Sequence, residues 1–264
     1  MSNLTRVAVV AAAVVAVVIG TIRLLPVATV PGATAPSPTP GVTSSPTSTP
    51  TPMPTPRPAF VPPGALEPGT YLYDGAAGTY LSNPATFFTV TVPAGWGSFR
   101  EVSIWKHANE AGEVDFEAWD VTHVFTDACQ WDEINGMPPA GATAAELATQ
   151  LANQKARVAS PITDVVVDGV AAKRIEFTND PSIDVTKCTS GGIRLWPGAG
   201  PDLHGGECCF TKQTVQQLTI LDRDGHHLVI VAAHQPAATA ADLAELNAVV
   251  ESIRWTSPGA SAAP

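Results

Sequence analysis

The segment from Thr214 to Trp255 constrains the fold most, because it predicts two strands, a tight turn and a helix in succession. Asp224-Gly225 separates two runs that are rich in β-branched and apolar residues. Asp-Gly in that position is a strong hairpin signal, since glycine tolerates the positive φ that the turn needs. The second run, 227–234, is apolar at nearly every position. A strand of this kind is covered on both faces, so we expect it in the middle of a sheet.

A helix is predicted directly after this hairpin. Thr239, with Asp242 three residues later, forms a capping-box pattern in which the threonine hydroxyl accepts from a free amide of the first turn. Apolar residues then recur at helical spacing and predict the face that packs on the sheet: Leu243, Leu246, Val250 and Ile253. The acidic residues Asp242, Glu245 and Glu251 are expected on the outer surface.

The rest of the chain adds mostly strands. The patterns predict strands at 70–73, 87–92, 101–106, 114–124 and 193–196, a hairpin of 162–167 and 171–177 around Asp168-Gly169, and a helix from Thr143 to about residue 156. Tight turns join most neighbouring strands, and the helices fall at two separated places. The fold class is therefore α+β, a mostly antiparallel sheet with flanking helices, in a single domain over residues 65–256.

The two ends of the chain do not resemble a folded domain. Residues 1–25 hold an apolar run, 7–22, between Arg6 and Arg23, which together with Leu24 and Leu25 is just long enough to cross a bilayer. Residues 26–64 are rich in proline, threonine and serine, which favours an extended, solvated linker. Residues 257–264 form a short tail. We expect a signal anchor, hence a single-pass membrane protein with an extracellular domain, or a secreted domain if the signal is cleaved.

The charge of the domain bears on its partners. It holds all 24 acidic residues but only 11 of the 14 basic ones, a formal net charge of −13 with histidine neutral. A surface this acidic repels phosphate backbones and anionic lipid, so nucleic acid is not expected as a partner.

Four cysteines, Cys129, Cys188, Cys208 and Cys209, predict two disulfides in an exported domain. Adjacent side chains of an extended segment point in opposite directions. Cys208 and Cys209 are therefore expected to take different partners, one Cys129 and the other Cys188, and the choice between the two pairings stays open. A bond between the neighbours, or a metal site formed with His204, is the less favoured alternative.

No motif for catalysis is present. The chain has no nucleophile elbow, no zinc-binding His-Glu-x-x-His and no phosphate-binding glycine loop, and no catalytic residue, cofactor or metal site is expected. His226 and His227 beside Asp222 and Asp224 are more typical of a solvated turn than of a site. The best candidate for a ligand cleft is formed by three tryptophans near the cysteine-rich region: Trp119, Trp131 and Trp196.

Several stretches resemble a known group of proteins: 122–131, 165–176, Cys188 to Pro197 and on to Cys208-Cys209, 221–230, and 240–253. They are similar to exported domains of actinobacteria and Chloroflexi, and loosely similar to PsbP-like and LpqN-type lipoprotein domains, over residues 67–255. The resemblance implies an antiparallel sheet with helices on both sides and no catalytic residues. The lipoproteins have an anchoring cysteine that this chain lacks, so their mode of attachment does not transfer.

The function expected from the sequence is the binding of a surface protein or a small ligand by a membrane-tethered, extracytoplasmic, non-enzymatic domain. Two alternatives remain. One is an extracellular metal-dependent enzyme that uses His204, Cys208 or the His226-His227 tip. The other is a structural protein of the cell envelope.

Overall fold

The computed structural model describes residues 58–74, 86–99, 103–131, 137–198, 208–210 and 214–256. The predicted anchor, most of the linker and the tail lie outside these ranges. By its internal contacts the chain divides into Met1–Met53 and Pro54–Pro264, and every described residue lies in the second unit. No helix in the described ranges is both long and apolar enough to span a bilayer.

The described residues form fourteen strands and two α-helices. In chain order, the strands are β1 (Gly64–Ala65), β2 (Gly69–Asp74), β3 (Phe87–Val92), β4 (Gly97–Phe99), β5 (Ser103–Lys106), β6 (Val114–Asp120), β7 (Arg157–Ala159), β8 (Thr163–Val167), β9 (Val170–Asn179), β10 (Ile193–Arg194), β11 (Cys208–Phe210), β12 (Val215–Arg223), β13 (His226–His234) and β14 (Arg254–Trp255). The helices are α1 (Ala144–Ala152) and α2 (Ala240–Glu251), and two short 3-10 turns cover Val185–Lys187 and Thr189–Gly191.

The predicted central hairpin is confirmed. β12 and β13 pair antiparallel from Val215↔His234 to Arg223↔His226, and Asp224 and Gly225 have φ angles of 50° and 85°. Two successive positive φ angles define a type I′ turn, whose twist matches that of the strands it joins. β13 also pairs with β6, so it lies in the interior of the sheet, where Leu228–Ala233 are all buried.

Nine strands within the described residues form one sheet in the order β1-β4-β5-β6-β13-β12-β9-β7, and β8 pairs with β9 beside β7. All its pairings are antiparallel. A second sheet has the order β14-β3-β2, and β10 pairs with β11. The predicted α+β class is therefore confirmed.

The two faces of the nine-stranded sheet carry separate cores. On the face that we call the α1 face, Leu147 and Leu151 of α1 pack with residues of β9, β12 and β13. On the opposite α2 face, Leu246 and Val250 of α2 pack with the other sides of β6 and β13 and with β3. Each strand contributes to both cores because its side chains alternate between the faces.

One surface residue was predicted wrongly. Asp242 is only 5% exposed, and its carboxylate forms an ion pair with Lys106 of β5, with a distance of 2.9 Å between Nζ and Oδ1. Helical spacing from Leu243 placed Asp242 outside the apolar face of the helix and so on the surface. In the structure the first turn of α2 lies against β5, which encloses the Asp242 side chain. The capping box itself is confirmed, since the Thr239 hydroxyl accepts from the Asp242 amide and the Asp242 carboxylate accepts from the Thr239 amide.

The predicted disulfide partners are also wrong. Cys129 is bonded to Cys188, with the two Cα atoms 4.6 Å apart. Backbone hydrogen bonds align their segments, from Thr189 N–H to the Cys129 carbonyl (2.8 Å) and from Arg194 N–H to the Ala128 carbonyl (2.9 Å). These contacts join distant parts of the chain, so the local alternation around Cys208 and Cys209 does not predict them. The side chains of Cys208 and Cys209 lie outside the described part of the structure.

Candidate functional site

A groove of about 180 Å³ lies on the α2 face, between α2 and the strands β9, β12 and β13. We call it the α2 groove. It is open to solvent along one side. Its lining combines four polar and four apolar side chains: Glu176, Gln217, His234, Asn247, Val215, Ala232, Leu243 and Leu246.

Strand alternation explains the floor of the α2 groove. Leu218 and Ile220 of β12 pack in the core of the α1 face, so Val215 and Gln217, which are an odd number of residues away, face α2. The register then places neighbours side by side, because Val215 pairs with His234 of β13 and Gln217 pairs with both Ala232 and Glu176. The floor is thus made of three adjacent strands near the middle of the sheet.

The wall of the groove comes from α2. Leu243 and Asn247 are four residues apart, so they lie one above the other on the same side of the helix. Leu246 is buried beneath them, whereas Leu243 is half-buried and Asn247 is exposed. The helix is held by its capping box and by Lys106, which fixes the wall with respect to the floor.

The polar groups of the groove are available to a ligand. Within the described residues, the side chains of Glu176, Gln217 and Asn247 make no hydrogen bond or ion pair, and His234 contacts only the neighbouring Gln235 carbonyl, at 3.2 Å from Nδ1. A carboxylate accepts hydrogen bonds and pairs with cations, while a carboxamide and an imidazole both donate and accept. Among the described residues that line the groove there is no serine, threonine, cysteine or lysine. This arrangement can bind a polar molecule, but it offers no nucleophile of the usual kinds.

A cavity of about 30 Å³ adjoins the groove and shares His234 with it; the other lining residues include Asp115 of β6. Burial raises the pKa of Asp115 to about 6, although the Ser103 hydroxyl donates a hydrogen bond to the carboxylate and opposes this rise. Asp115 therefore takes up a proton at a higher pH than an ordinary aspartate. The cavity is too small for a ligand of more than a few atoms.

Two histidines at the end of the central hairpin each contact an aspartate. His226 Nδ1 lies 2.7 Å from Asp120 Oδ2, and His227 Nδ1 lies 2.7 Å from Asp222 Oδ1. The other carboxylate oxygen of Asp222 accepts from the Ala144 amide at the start of α1 (2.8 Å). Adjacent residues of a strand face opposite sides of the sheet, so the two histidines do not converge on one site. They attach the hairpin to β6 and to α1.

The structure does not bring the three predicted tryptophans together at an open surface. Trp119 and Trp196 are core residues, 8% and 1% exposed, with ring centroids 6.5 Å apart in an edge-to-face arrangement. Trp131 is half-buried elsewhere, where it packs against Phe125 and lies under the Arg194 guanidinium, 4.0 Å from the ring centroid. These side chains stabilise the loops of the α1 face.

Other residues considered for metal binding are dispersed. The described part of the chain contains no group of three or more histidine, cysteine or acidic side chains that could hold a metal ion. His204 lies outside the described residues, so the predicted alternative of a site with Cys208 and Cys209 is not addressed by the structure.

A wider depression of about 560 Å³ lies over the exposed side of α1 and is bordered by Gly141, Ala145, Glu146, Thr149 and Gln150. It is shallow, and most of its described border comes from a single helix. The α2 groove is the better candidate for a ligand site, because it is lined by a helix and by strands and holds several polar side chains.

Sequence reasoning missed the α2 groove. The sequence holds one weak signal, the polar residues Gln217 and His234 on the side of β12 and β13 that faces α2, but the buried Gln216 and Thr219 of β12 are polar as well. A polar residue in a strand that is covered on both faces indicates a gap in the cover, but the sequence does not show where α2 ends and the gap begins.

No protein-family model matches this chain, and no curated protein matches it. Several solved structures do. One is LpqN of Mycobacterium tuberculosis, described as involved in cell envelope biogenesis: identity is 11%, the match covers 63% of this chain and 81% of LpqN, and the TM-score is 0.32. Another is the cyanobacterial PsbP protein CyanoP of Synechocystis sp. PCC 6803, with 11% identity, 73% and 96% coverage and a TM-score of 0.31.

A third matching structure is a protein of Bacteroides thetaiotaomicron, with 11% identity, coverage of 67% of this chain and 48% of that protein, and a TM-score of 0.30. The loose similarity to LpqN-type and PsbP-like domains that the sequence suggested is thus found again among solved structures. At such TM-scores it carries no argument about function.

Proposed function

We propose that this protein is an exported, membrane-tethered binding domain that takes a small polar ligand, or a short segment of a surface protein, into the α2 groove without chemical turnover. The observation that carries the proposal is the set of polar side chains in the groove. A carboxylate, two carboxamides and an imidazole lie among apolar side chains in one groove, and none of its described lining residues is a common nucleophile.

The size of the groove limits the ligand. Its volume of about 180 Å³ is below the range of roughly 300 Å³ or more that is typical of pockets for drug-sized molecules. It accommodates a molecule, or part of one, about as large as a single amino acid. Because the groove is open on one side, a longer chain can bind with one residue inside and the remainder along the surface.

Charge favours a neutral or cationic ligand. Of the lining residues that the structure describes, Glu176 is the one that is always charged near neutral pH, and His234 is charged only when protonated. The domain as a whole carries a net charge of −13. Such a field concentrates cations near the surface and repels anions, so we expect an ammonium or guanidinium group opposite Glu176.

Two features support a location outside the cytoplasm. The Cys129–Cys188 disulfide is typical of an oxidising compartment. The apolar run near the N-terminus, followed by a proline-rich linker, is typical of an exported and tethered domain.

The test is a binding screen with the full-length protein in a non-ionic detergent. Thermal shift and calorimetry against small amines, amino acids and their uncharged analogues should identify ligands that bind with a preference for cations. Glu176→Gln should weaken binding of a cationic ligand by a factor of about three to ten, as expected for the loss of a charge-assisted hydrogen bond at a solvent-exposed carboxylate. Glu251→Gln, which makes the same change on an exposed part of α2 outside the groove, should have no effect.

Three results would contradict the proposal. Turnover of a substrate by the purified protein would make it an enzyme, and retained metal with activity lost on chelation would identify the metal-dependent alternative. A protein that binds nothing, but whose deletion alters envelope integrity, would be structural.

A further inference from the structure

Apolar side chains are exposed along one edge of the nine-stranded sheet. Of the five large apolar residues that are exposed within the described ranges, three lie between β7 and the end of β8: Val158 (49% exposed), Ile162 (37%) and Val166 (70%). Val166 has the largest exposed fraction of the five. Val158 pairs with Thr178 and Val166 with Ala171, so the two valines face opposite sides of the sheet and share only its edge. Exposed apolar residues along an open edge mark it as a surface for pairing with another strand.

The edge is open within the part of the chain that the structure describes. β7 and β8 lie end to end along one side of β9, while β12 occupies the other side. No further described strand pairs with the outer side of β8. β8 has the sequence Thr-Asp-Val-Val-Val, and such a β-branched run favours the extended conformation.

The register shows which backbone groups face outward. β8 and β9 are joined by a two-residue type I′ turn, with φ angles of 45° at Asp168 and 82° at Gly169, and Val167 pairs with Val170. The pairs next to such a turn alternate between hydrogen-bonded and non-hydrogen-bonded, starting with a hydrogen-bonded one. Val166 and Asp164 are therefore in non-hydrogen-bonded positions, and their N–H and C=O groups point away from β9.

The charges of β8 do not protect this edge. Natural edges are often blocked by an unpaired lysine or an inward-pointing charge. Here the one charged residue of β8, Asp164, forms an ion pair with Lys173 of β9. The edge therefore presents a neutral row of side chains, in a domain whose net charge is strongly negative.

We infer that β8 pairs antiparallel with β8 of a second copy of this chain, which joins two sheets into one across a two-fold axis. With Asp164 opposite Val166 of the partner subunit, and the reverse, all the outward groups of both residues find hydrogen-bond partners and no like charges lie opposite each other. The alkyl stem of Lys173 then lies near Val166 of the partner subunit and covers it.

A second copy fits this edge better than an unrelated strand, because the outward groups are complementary to themselves under two-fold symmetry. The contact is small, and both copies are acidic, so the dimer is weak and is strengthened by salt. A basic peptide would show the opposite salt dependence. Val166 lies on the α1 side of the sheet and the α2 groove on the other side, so this inference goes beyond the proposed function.

Sedimentation velocity of the full-length protein in a non-ionic detergent tests the inference, over concentrations from about 1 µM to about 500 µM. We expect a dimer that increases with concentration and with added sodium chloride. Val166→Asp should raise the dissociation constant at least about tenfold, since it places a second carboxylate directly opposite Asp164 of the partner subunit. Ala145→Asp makes the same change in net charge on the exposed side of α1 and should leave the dimer intact.

A second variant separates backbone pairing from side-chain contact. Val166→Pro removes one outward N–H group, which the fold of one subunit does not use, so the variant should fold and yet remain monomeric. A wild-type protein that is monomeric at every concentration would overturn the inference. So would a dimer that persists in Val166→Asp and Val166→Pro, or one that salt dissociates.

Discussion

The two faces of the nine-stranded sheet are closed by different means. On the α1 face, a nine-residue helix covers only part of the strands, and irregular segments cover the rest. The Cys129–Cys188 disulfide and the buried Gln154 hold these segments, since the Gln154 amide donates to the carbonyls of Phe125 (2.8 Å) and Leu195 (2.6 Å). On the α2 face, a twelve-residue helix and a second sheet supply regular cover.

The acidic side chains of the two faces also differ in their partners and in the direction of their pKa shifts. On the α2 face, Lys106 lies 2.9 Å from both Asp242 and Glu245, and Trp96 donates to Glu245 (3.0 Å). Hydrogen bonds from Thr239 and then Lys106 lower the pKa of Asp242, and Lys106 lowers that of Glu245. On the α1 face, no cation within the described residues contacts Asp115, and burial raises its pKa to about 6. The buried charge of the α1 face, Arg157, instead donates to the neutral side chain of Gln216 and lies over Phe177. The α2 face therefore pairs its carboxylates with a lysine, whereas the described residues of the α1 face leave Asp115 without one.

The largest effect is expected from the disulfide of the α1 face. Replacing both Cys129 and Cys188 by alanine should lower the free energy of unfolding by about 3–4 kcal/mol, because the bond closes a loop with a sequence separation of 59 residues. Urea denaturation followed by tryptophan fluorescence measures the change. A loss below about 1 kcal/mol would show that Gln154 and the apolar contacts hold the irregular segments without the covalent bond.

The charged cluster of the α2 face should give the next largest effect. Lys106→Met keeps most of the aliphatic stem but removes the lysine from Asp242 and Glu245, so that the remaining basic neighbour of Asp242 is His107, at 3.4 Å. We expect a loss of stability at pH 7 that is clearly larger than for an exposed pair, because one partner of a partly buried ion pair has been removed. In the wild type, the stability that this cluster contributes is present above the unfolded-state pKa values of the two carboxyls and is lost as the pH falls towards their lower folded-state values.

Lys173→Met is the matched control for Lys106→Met. It removes the same charge from the pair with Asp164, whose side chain is 85% exposed. Exposed ion pairs contribute little, so the change should stay within about 0.5 kcal/mol. Equal losses in the two variants would mean that the α2 cluster behaves as an ordinary surface pair.

A substitution of Asp115 on the α1 face should raise the free energy of unfolding, whereas Lys106→Met lowers it. Asp115→Asn keeps the shape and a hydrogen-bond partner for Ser103 but removes a carboxylate whose ionisation is unfavourable in the folded state. We expect a gain of about 1–2 kcal/mol at pH 7.5, a value that allows for the partial exposure of the side chain.

The sign of the pH dependence follows from the raised pKa. The cost of the ionised Asp115 is fully present above about pH 6 and disappears as the pH falls through the unfolded value of 3.8. The gain from Asp115→Asn should therefore shrink between pH 7.5 and pH 4. Urea denaturation at both pH values measures it, and a gain that is the same at both would rule out ionisation as the cause.

Local patterns predicted the elements of both faces well. The two Asp-Gly turns, the helix that begins at Thr143 and the cap at Thr239 depend on neighbours within a few residues, and all of them are found in the structure. The ends of elements were predicted less well. The strand expected over 114–124 ends at Asp120, because the Val121 amide already bonds to the His227 carbonyl and the chain then leaves the sheet.

Contacts between distant segments were not predictable in this way. The burial of Asp242 depends on β5, which precedes it by more than a hundred residues, and the partner of Cys129 depends on how two loops align. The α2 groove is harder still to predict from the sequence, since it is the space that α2 leaves uncovered over β9, β12 and β13. A pattern of residues indicates what an element buries, but a gap between elements exists only after they are packed.

The smallest expected effect is the difference in stability between losing the N-terminal cap of α2 and losing that of α1. The start of α2 depends on the box between Thr239 and Asp242, whereas the start of α1 has a second cap from outside the helix, the Asp222 carboxylate on the Ala144 amide. Thr239→Ala should therefore cost about 1–1.5 kcal/mol and Thr143→Ala only about 0.5 kcal/mol. Chemical denaturation measures both, with Thr239→Ser as a control that keeps the hydroxyl and most of the stability. If the two alanine variants cost the same, Asp222 does not act as a cap, and α1 is held to the sheet by Leu147 and Leu151 alone.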